Sequence, residues 1–92
     1  MINLTVEEIK QPSLLVFTSS NCHLCTVLLE NLKDFDYNIV EVNESNGAIL
    51  GPKFSIAASP TTILLNNNVE VSRFYGAKTK EYVKNFIEQN IS

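Results

Sequence analysis

The stretch Leu14-Leu15-Val16-Phe17-Thr18-Ser19-Ser20-Asn21-Cys22-His23-Leu24-Cys25-Thr26-Val27-Leu28-Leu29 decides how this chain is read. Its first four residues are apolar without alternation, the pattern of a strand covered on both faces. Leu24, Val27, Leu28, Leu32 and Phe35 then recur at helical spacing, which predicts a helix from about 22 to 35 with one buried side. Cys22 and Cys25, the only two cysteines, stand where strand gives way to helix. Two thiols one helical turn apart can close into a disulfide and open again. A helix N-terminus favours negative charge, and so favours ionisation of the first thiol. With no export signal in view, such a pair near a βαβ pattern reads first as a redox motif.

Working outward, residues 2–4 are expected to form a short strand. Thr5 and Glu8 have the spacing of a capping box, opening a short helix over 6–11 that Pro12 ends. Residues 39–42 read as the next strand. Gly47, Gly51 and Pro52 break 46–54 into helical turns at most. Residues 61–65 form a strand, and Asn66-Asn67-Asn68 turns the chain, because Asn tolerates the positive φ of a tight hairpin. Residues 69–75 return antiparallel and Gly76 ends them. Thr79 caps a final helix whose apolar face is Tyr82, Val83, Phe86, Ile87 and Ile91. The first half calls for parallel strands with crossover helices and the last hairpin adds antiparallel ones, so one mixed sheet with helices on both faces accommodates the whole order.

At 92 residues the chain holds one domain, 1–92, with one modest core. With 45% hydrophobic and 18% charged residues it is globular rather than disordered. A net charge of −3 with scattered basic residues argues against nucleic acid or an anionic membrane as the partner. No basic segment followed by a long apolar one stands at the N-terminus, so neither a signal peptide nor a membrane span is expected, and the cytoplasm is the expected compartment. There a lone cysteine pair is reactive or metal-binding sooner than a structural staple.

The layout, with C-x-x-C after the second strand, resembles the thioredoxin family. Ser59-Pro60-Thr61 opens a strand where that family carries a cis-proline followed by Thr. Asn3-Leu4-Thr5, Pro52-Lys53-Phe54-Ser55-Ile56 and Gly76-Ala77 resemble further family landmarks, so the resemblance spans essentially the whole chain. It implies a five-stranded mixed sheet in the spatial order 1-3-2-4-5 with helices on both faces. The chain departs from the family pattern at the site: Asn21 replaces Trp, His23-Leu24 replaces Gly-Pro, the family's buried Asp falls on Val16, and its partner Lys falls near Ile39.

On this reading Cys22 is the attacking thiolate and Cys25 the more buried resolving thiol; the plain alternative is two core cysteines. His23 either stabilises the Cys22 thiolate as imidazolium or is solvated and uncoupled. Cys22, His23 and Cys25 supply at most three metal ligands, so no metal is expected within one chain, while a metal shared between chains stays open. The resemblance assigns substrate binding to Ser59, Pro60 and Gly76, with the Ser59 backbone free to take a substrate strand edge-on; the alternative for Pro60 is a trans proline opening an edge strand. Glu41 reads either as a proton acceptor or as a solvated carboxylate at a strand end. The expected activity is thiol–disulfide exchange by a monomer, without organic cofactor, on protein disulfide substrates, with electrons from a reductase or dithiol donor. The rival is a non-catalytic partner-binding or redox-sensing module of the same fold. His23, Leu24 and Val16 together set the expected reduction potential somewhat above about −270 mV and well short of about −120 mV.

Overall fold

The computed structural model describes residues 2–91; Met1 and Ser92, the ends of the expected domain, lie outside the described residues. The elements run as a single 3-10 turn (Val6–Glu8), β1 (Ser13–Phe17), α1 (His23–Asn31), β2 (Ile39–Val42), α2 (Leu50–Lys53), β3 (Thr61–Asn66), β4 (Val69–Tyr75) and α3 (Lys80–Asn90). They build one four-stranded sheet in the order β2-β1-β3-β4. β1 runs parallel to β2, from Leu14 opposite Ile39 to Phe17 opposite Val42. It runs antiparallel to β3, which in turn pairs antiparallel with β4.

β1 lies inside the sheet because all five of its residues are buried. Alternation sends Leu14 and Val16 to one face and Leu15 and Phe17 to the other. On the first face they join Leu28 and Leu32 of the α1 region, Leu64, Phe74, and Val83, Phe86 and Ile87 of α3. On the second they join Val6, Ile9, Val42, Leu50, Phe54, Ile63 and Leu65. Each such aliphatic or aromatic side chain contributes about 1.5–3 kcal/mol when fully buried.

Three expectations about the elements are corrected. No fifth strand forms among the described residues: Leu4 makes one hydrogen bond, donating its N–H to the Asn46 carbonyl at 3.0 Å, and Ile2 is 77% exposed. One apolar anchor is too little to hold a strand against β2, which is therefore an edge. The 6–11 helix shrinks to a 3-10 turn, although its capping box forms, Glu8 Oε1 accepting from the Thr5 N–H at 3.1 Å and from its hydroxyl at 2.8 Å. The helix expected over 22–35 also closes early, at Asn31. Beyond it Lys33 and Phe35 bond to carbonyls three residues back, at Glu30 and Leu32, the tighter winding that commonly ends helices.

The hairpin forms as expected. Asn67 and Asn68 have φ of 53° and 65°, the left-handed pair that a two-residue turn requires. β4 carries a bulge where Leu64 faces Ser72 but Leu65 faces Glu70, leaving Val71 over. Thr79 caps α3, its hydroxyl accepting the Tyr82 N–H at 3.1 Å. Across the second face Arg73 donates to the Glu70 carboxylate and, at 2.8 Å, to the Phe54 carbonyl, tying the hairpin to the end of α2. The hydrogen bond from Arg73 holds the Glu70 carboxyl below the usual carboxylate value, against a smaller opposing effect of burial.

Candidate functional site

The cysteines follow the C-terminal end of β1. Thr18 and the exposed Ser19 and Ser20 leave the sheet, and Asn21 reverses the chain at φ 58°, a left-handed position that Asn tolerates better than most residues. Cys22 then takes an extended conformation as the N-cap of α1. Its Sγ fills the role of a serine hydroxyl at other helices, accepting the Cys25 N–H at 3.2 Å. Cys22 and Cys25 form a disulfide across a Cα separation of 5.3 Å. The two are unequally placed. Cys22 is half-buried, whereas Cys25 is 3% exposed and packs into the helix's inner side.

The loop before the cysteines is held from the β2 side by two carboxylates. Thr18 Oγ1 donates to Glu41 Oε2 at 2.9 Å. Ser20 donates to Glu44 Oε1 from its hydroxyl at 2.7 Å and its N–H at 3.2 Å. The turn carrying Glu44 is itself built from side chains. Asn43 Oδ1 accepts the Ser45 N–H, and Asn46 bridges back to Asn43 N–H and to the Glu41 carbonyl. Gly47 closes this turn so tightly that a Cβ there would lie 2.6 Å from the Asn43 oxygen.

A cleft of about 460 Å³ opens beside the disulfide, lined by Thr18, Ser19, Asn21, Cys22, His23, Cys25, Thr26, Leu29 and Glu41. Its walls are thus the start of α1 on one side and the end of β2 on the other. His23 and Leu24 are exposed on the outer surface of the helix's first turn, with Leu24 51% exposed.

Of the residues picked out in sequence, Cys22, His23, Cys25 and Glu41 share this cleft, and Ser59, Pro60 and Gly76 do not line it. Ser59 lines a second, more apolar cleft of about 310 Å³ with Val42, Gly47 and Ile56; Thr18 borders both. Pro60 is buried just ahead of β3 and follows a cis peptide bond. Its carbonyl accepts the Gly76 N–H at 3.1 Å, and Gly76 has φ +83°, so these two predicted residues are joined to one another. Sequence reasoning misses Thr18, Ser20 and Glu44. The polar run after a buried strand is a usable signal for the first two, but no spacing points to Glu44.

The described residues contain no group of three or more side chains arranged to hold a metal, and no helix among them is long and apolar enough to cross a membrane. Comparison with curated protein sequences finds no match. Among solved structures the chain is similar to a thioredoxin from Fasciola hepatica, with a TM-score of 0.76 at 19% identity over 91% of this chain and 85% of that one. It is similar to a thioredoxin from Nicotiana alata, with a TM-score of 0.71 at 24% identity over 92% and 80%. A reduced thioredoxin pre-protein from Schistosoma mansoni gives a TM-score of 0.72 at 23% identity over 98% and 97%. At these identities the likeness is one of fold. The thioredoxin family profile, however, matches residues 3–89, nearly the whole chain, and the chain belongs to the thioredoxin family.

Proposed function

We propose that the protein is a thiol–disulfide oxidoreductase that exchanges disulfides with protein substrates through Cys22 and Cys25. The observation that carries this is the unequal exposure of two linked sulfurs at the start of one helix: Cys22 is half-buried and Cys25 is 3% exposed. In the reduced protein the exposed sulfur is the one a substrate can reach. It sits where the helix N-terminus favours a thiolate. The Cys22 thiolate attacks a substrate disulfide, forming a mixed disulfide and releasing one substrate thiolate. Cys25 then attacks Cys22 Sγ, closing the intramolecular disulfide and releasing the second. A reductase or dithiol donor returns the pair to the reduced state.

Ser59 supports the docking of an extended substrate chain. Neither its N–H nor its carbonyl has a hydrogen-bond partner among the described residues, while the Pro60 carbonyl is occupied by Gly76. A free backbone edge in a cleft that shares Thr18 with the cysteine cleft is what strand-wise peptide recognition needs. Exposed His23 is proposed to tune the pair, by raising the thiolate fraction of Cys22 when protonated.

The test is reduction of insulin by dithiothreitol with and without the protein. Wild type is expected to accelerate it. Cys22→Ser is expected to abolish the acceleration, and Cys25→Ser to accumulate a covalent mixed disulfide visible by mass spectrometry. No acceleration by wild type, together with no mixed disulfide in Cys25→Ser, overturns the proposal in favour of a non-catalytic docking module.

A further inference from the structure

A buried thiol that must become a thiolate needs somewhere to send its proton. Cys25 is 3% exposed, and the strand beneath the helix offers no help, because Val16 is apolar and fully buried. Val16 stands opposite Glu41 in the parallel register of β1 and β2. Strand alternation puts Glu41 on the face that α1 covers, since Ile39 packs with the α1 and α3 core and Val40 with the other. Glu41, itself exposed, lines the same cleft as Cys22 and Cys25 from the opposite wall. One carboxylate oxygen, Oε2, is occupied by the Thr18 hydroxyl at 2.9 Å; Oε1 has no hydrogen-bond partner among the described residues. The group is therefore held in place by one oxygen and left with a free basic one. We propose that Glu41, oriented by Thr18, is the proton acceptor for the Cys25 thiol. The inference rests on the oxidoreductase reading above and adds to it the residue that governs the resolving step.

In the mixed disulfide, the Cys25 thiol gives its proton to the Glu41 carboxylate, directly or through a water in the cleft. The Cys25 thiolate attacks Cys22 Sγ; the Cys22–substrate S–S bond breaks as the Cys22–Cys25 bond forms. The departing substrate thiolate takes up the proton that Glu41 holds. The dithiol loses two electrons and the substrate sulfurs gain them. In the reverse direction Glu41 in its acid form protonates Cys25 as it leaves.

The other ionisable groups facing the cleft are Cys22, His23 and Cys25; Glu44, bonded to Ser20, lines the second cleft instead. A carboxylate among thiols also has a plain charge effect: it disfavours both thiolates. The two effects have opposite signs in Glu41→Gln, which keeps the side chain's size and an oxygen for Thr18 but removes the base. If Glu41 acted by charge alone, its removal would speed both half-reactions. As a proton acceptor its removal slows only the second.

The experiment follows each half-reaction by stopped flow against a small aromatic disulfide whose released thiol absorbs. Attack by Cys22 is read in the Cys25→Ser background, and resolution by Cys25 in the otherwise wild-type chain. In Glu41→Gln, attack at pH 7 is expected unchanged or faster. Resolution is expected about a hundredfold slower, at the low end of what general acid–base groups supply. The deficit should close as pH rises and hydroxide replaces the carboxylate. Glu41→Asp should recover part of the rate. Equal slowing of both steps marks a structural role, and speeding of both marks a charge effect; either overturns the proposal. Wild-type resolution with no change in Glu41→Gln overturns it while leaving the oxidoreductase reading intact. Failure of the wild type to attack the disulfide at all defeats that reading itself, and this inference with it.

Discussion

The two faces of the sheet receive alternate residues of the same strands, yet they are covered by different kinds of structure. One face lies under α1 and α3, helices of nine and eleven residues whose buried side chains recur at regular spacing. The other lies under a three-residue 3-10 turn, the four-residue α2 and the loops around them. The first covering is held by apolar contact along whole helix faces. The second is pinned locally, by Arg73 reaching the Phe54 carbonyl, by the paired side chains of Asn43 and Asn46, and by a glycine at 47. The disulfide belongs to the regular covering and Ser59 to the irregular one. The site thus sits where a stiff layer meets a stitched one.

If that contrast is right, removing buried volume should hurt the helical face more than the stitched one. Leu28 in α1 and Leu50 in α2 are both fully buried. Truncation of a buried leucine to alanine costs about 2–5 kcal/mol, depending on how far the surroundings collapse. Leu28→Ala is expected near the top of that range and Leu50→Ala near the bottom, read by urea unfolding. A larger loss for Leu50→Ala reverses the comparison.

The stitched face should instead be sensitive to single atoms. At Gly47 a Cβ would meet the Asn43 oxygen at 2.6 Å and Val42 Cγ1 at 2.9 Å, whereas at Gly51 nothing lies within 4 Å. Gly47→Ala is expected to cost about 1–3 kcal/mol through overpacking against backbone. Gly51→Ala is expected to be neutral or to stabilise by up to about 1 kcal/mol, by restricting the unfolded chain. Thermal melts of the two variants sharpen the comparison most if they move in opposite directions.

The smallest effect concerns the ion pair between Glu70 and Arg73. Its side chains are 27% and 24% exposed, so solvent screening keeps its worth below about 1 kcal/mol. The folded protein holds the Glu70 carboxyl below its ordinary value of 4.5. Stability from this group is therefore present above that ordinary value and is lost as pH falls through the lower folded one. Glu70→Gln should lower stability slightly at neutral pH and flatten the acid limb of the stability curve. An unchanged acid limb would show that the pair is not one of the stitches.

The same contrast governs what is legible in the sequence. α3 is legible because Val83, Phe86 and Ile87 repeat at helical spacing behind a capping Thr79. β1 is legible because four apolar residues in a row, closed off by polar ones, are too few for a helix and suit a strand covered on both faces. The Asn67-Asn68 turn is legible because few residues accept its backbone angles. Residues 2–4 mislead because they have strand-like composition but lack partners, and composition does not count partners. At the site, Cys22 and Cys25 announce themselves by spacing. The hold of Glu41 on Thr18 and of Glu44 on Ser20 spans 23 and 24 residues, a distance over which no local pattern operates.

The disulfide joins residues only three apart in sequence. A loop that short restricts the unfolded chain by about 2 kcal/mol, against about 4.7 kcal/mol for a loop of about a hundred residues. Closing or opening it therefore leaves most of the folding free energy where it was, in the two coverings of the sheet. A thermodynamic cycle then makes the fold its own potentiometer. The difference in unfolding free energy between oxidised and reduced protein equals the free-energy gap between the folded pair's reduction potential and that of the same two thiols in the unfolded chain, at about 1.4 kcal/mol for each ~30 mV. A reduced form that resists denaturant better than the oxidised one marks a folded pair more oxidising than its own random coil. Two unfolding curves, one with dithiothreitol and one without, measure it with no substrate or partner present.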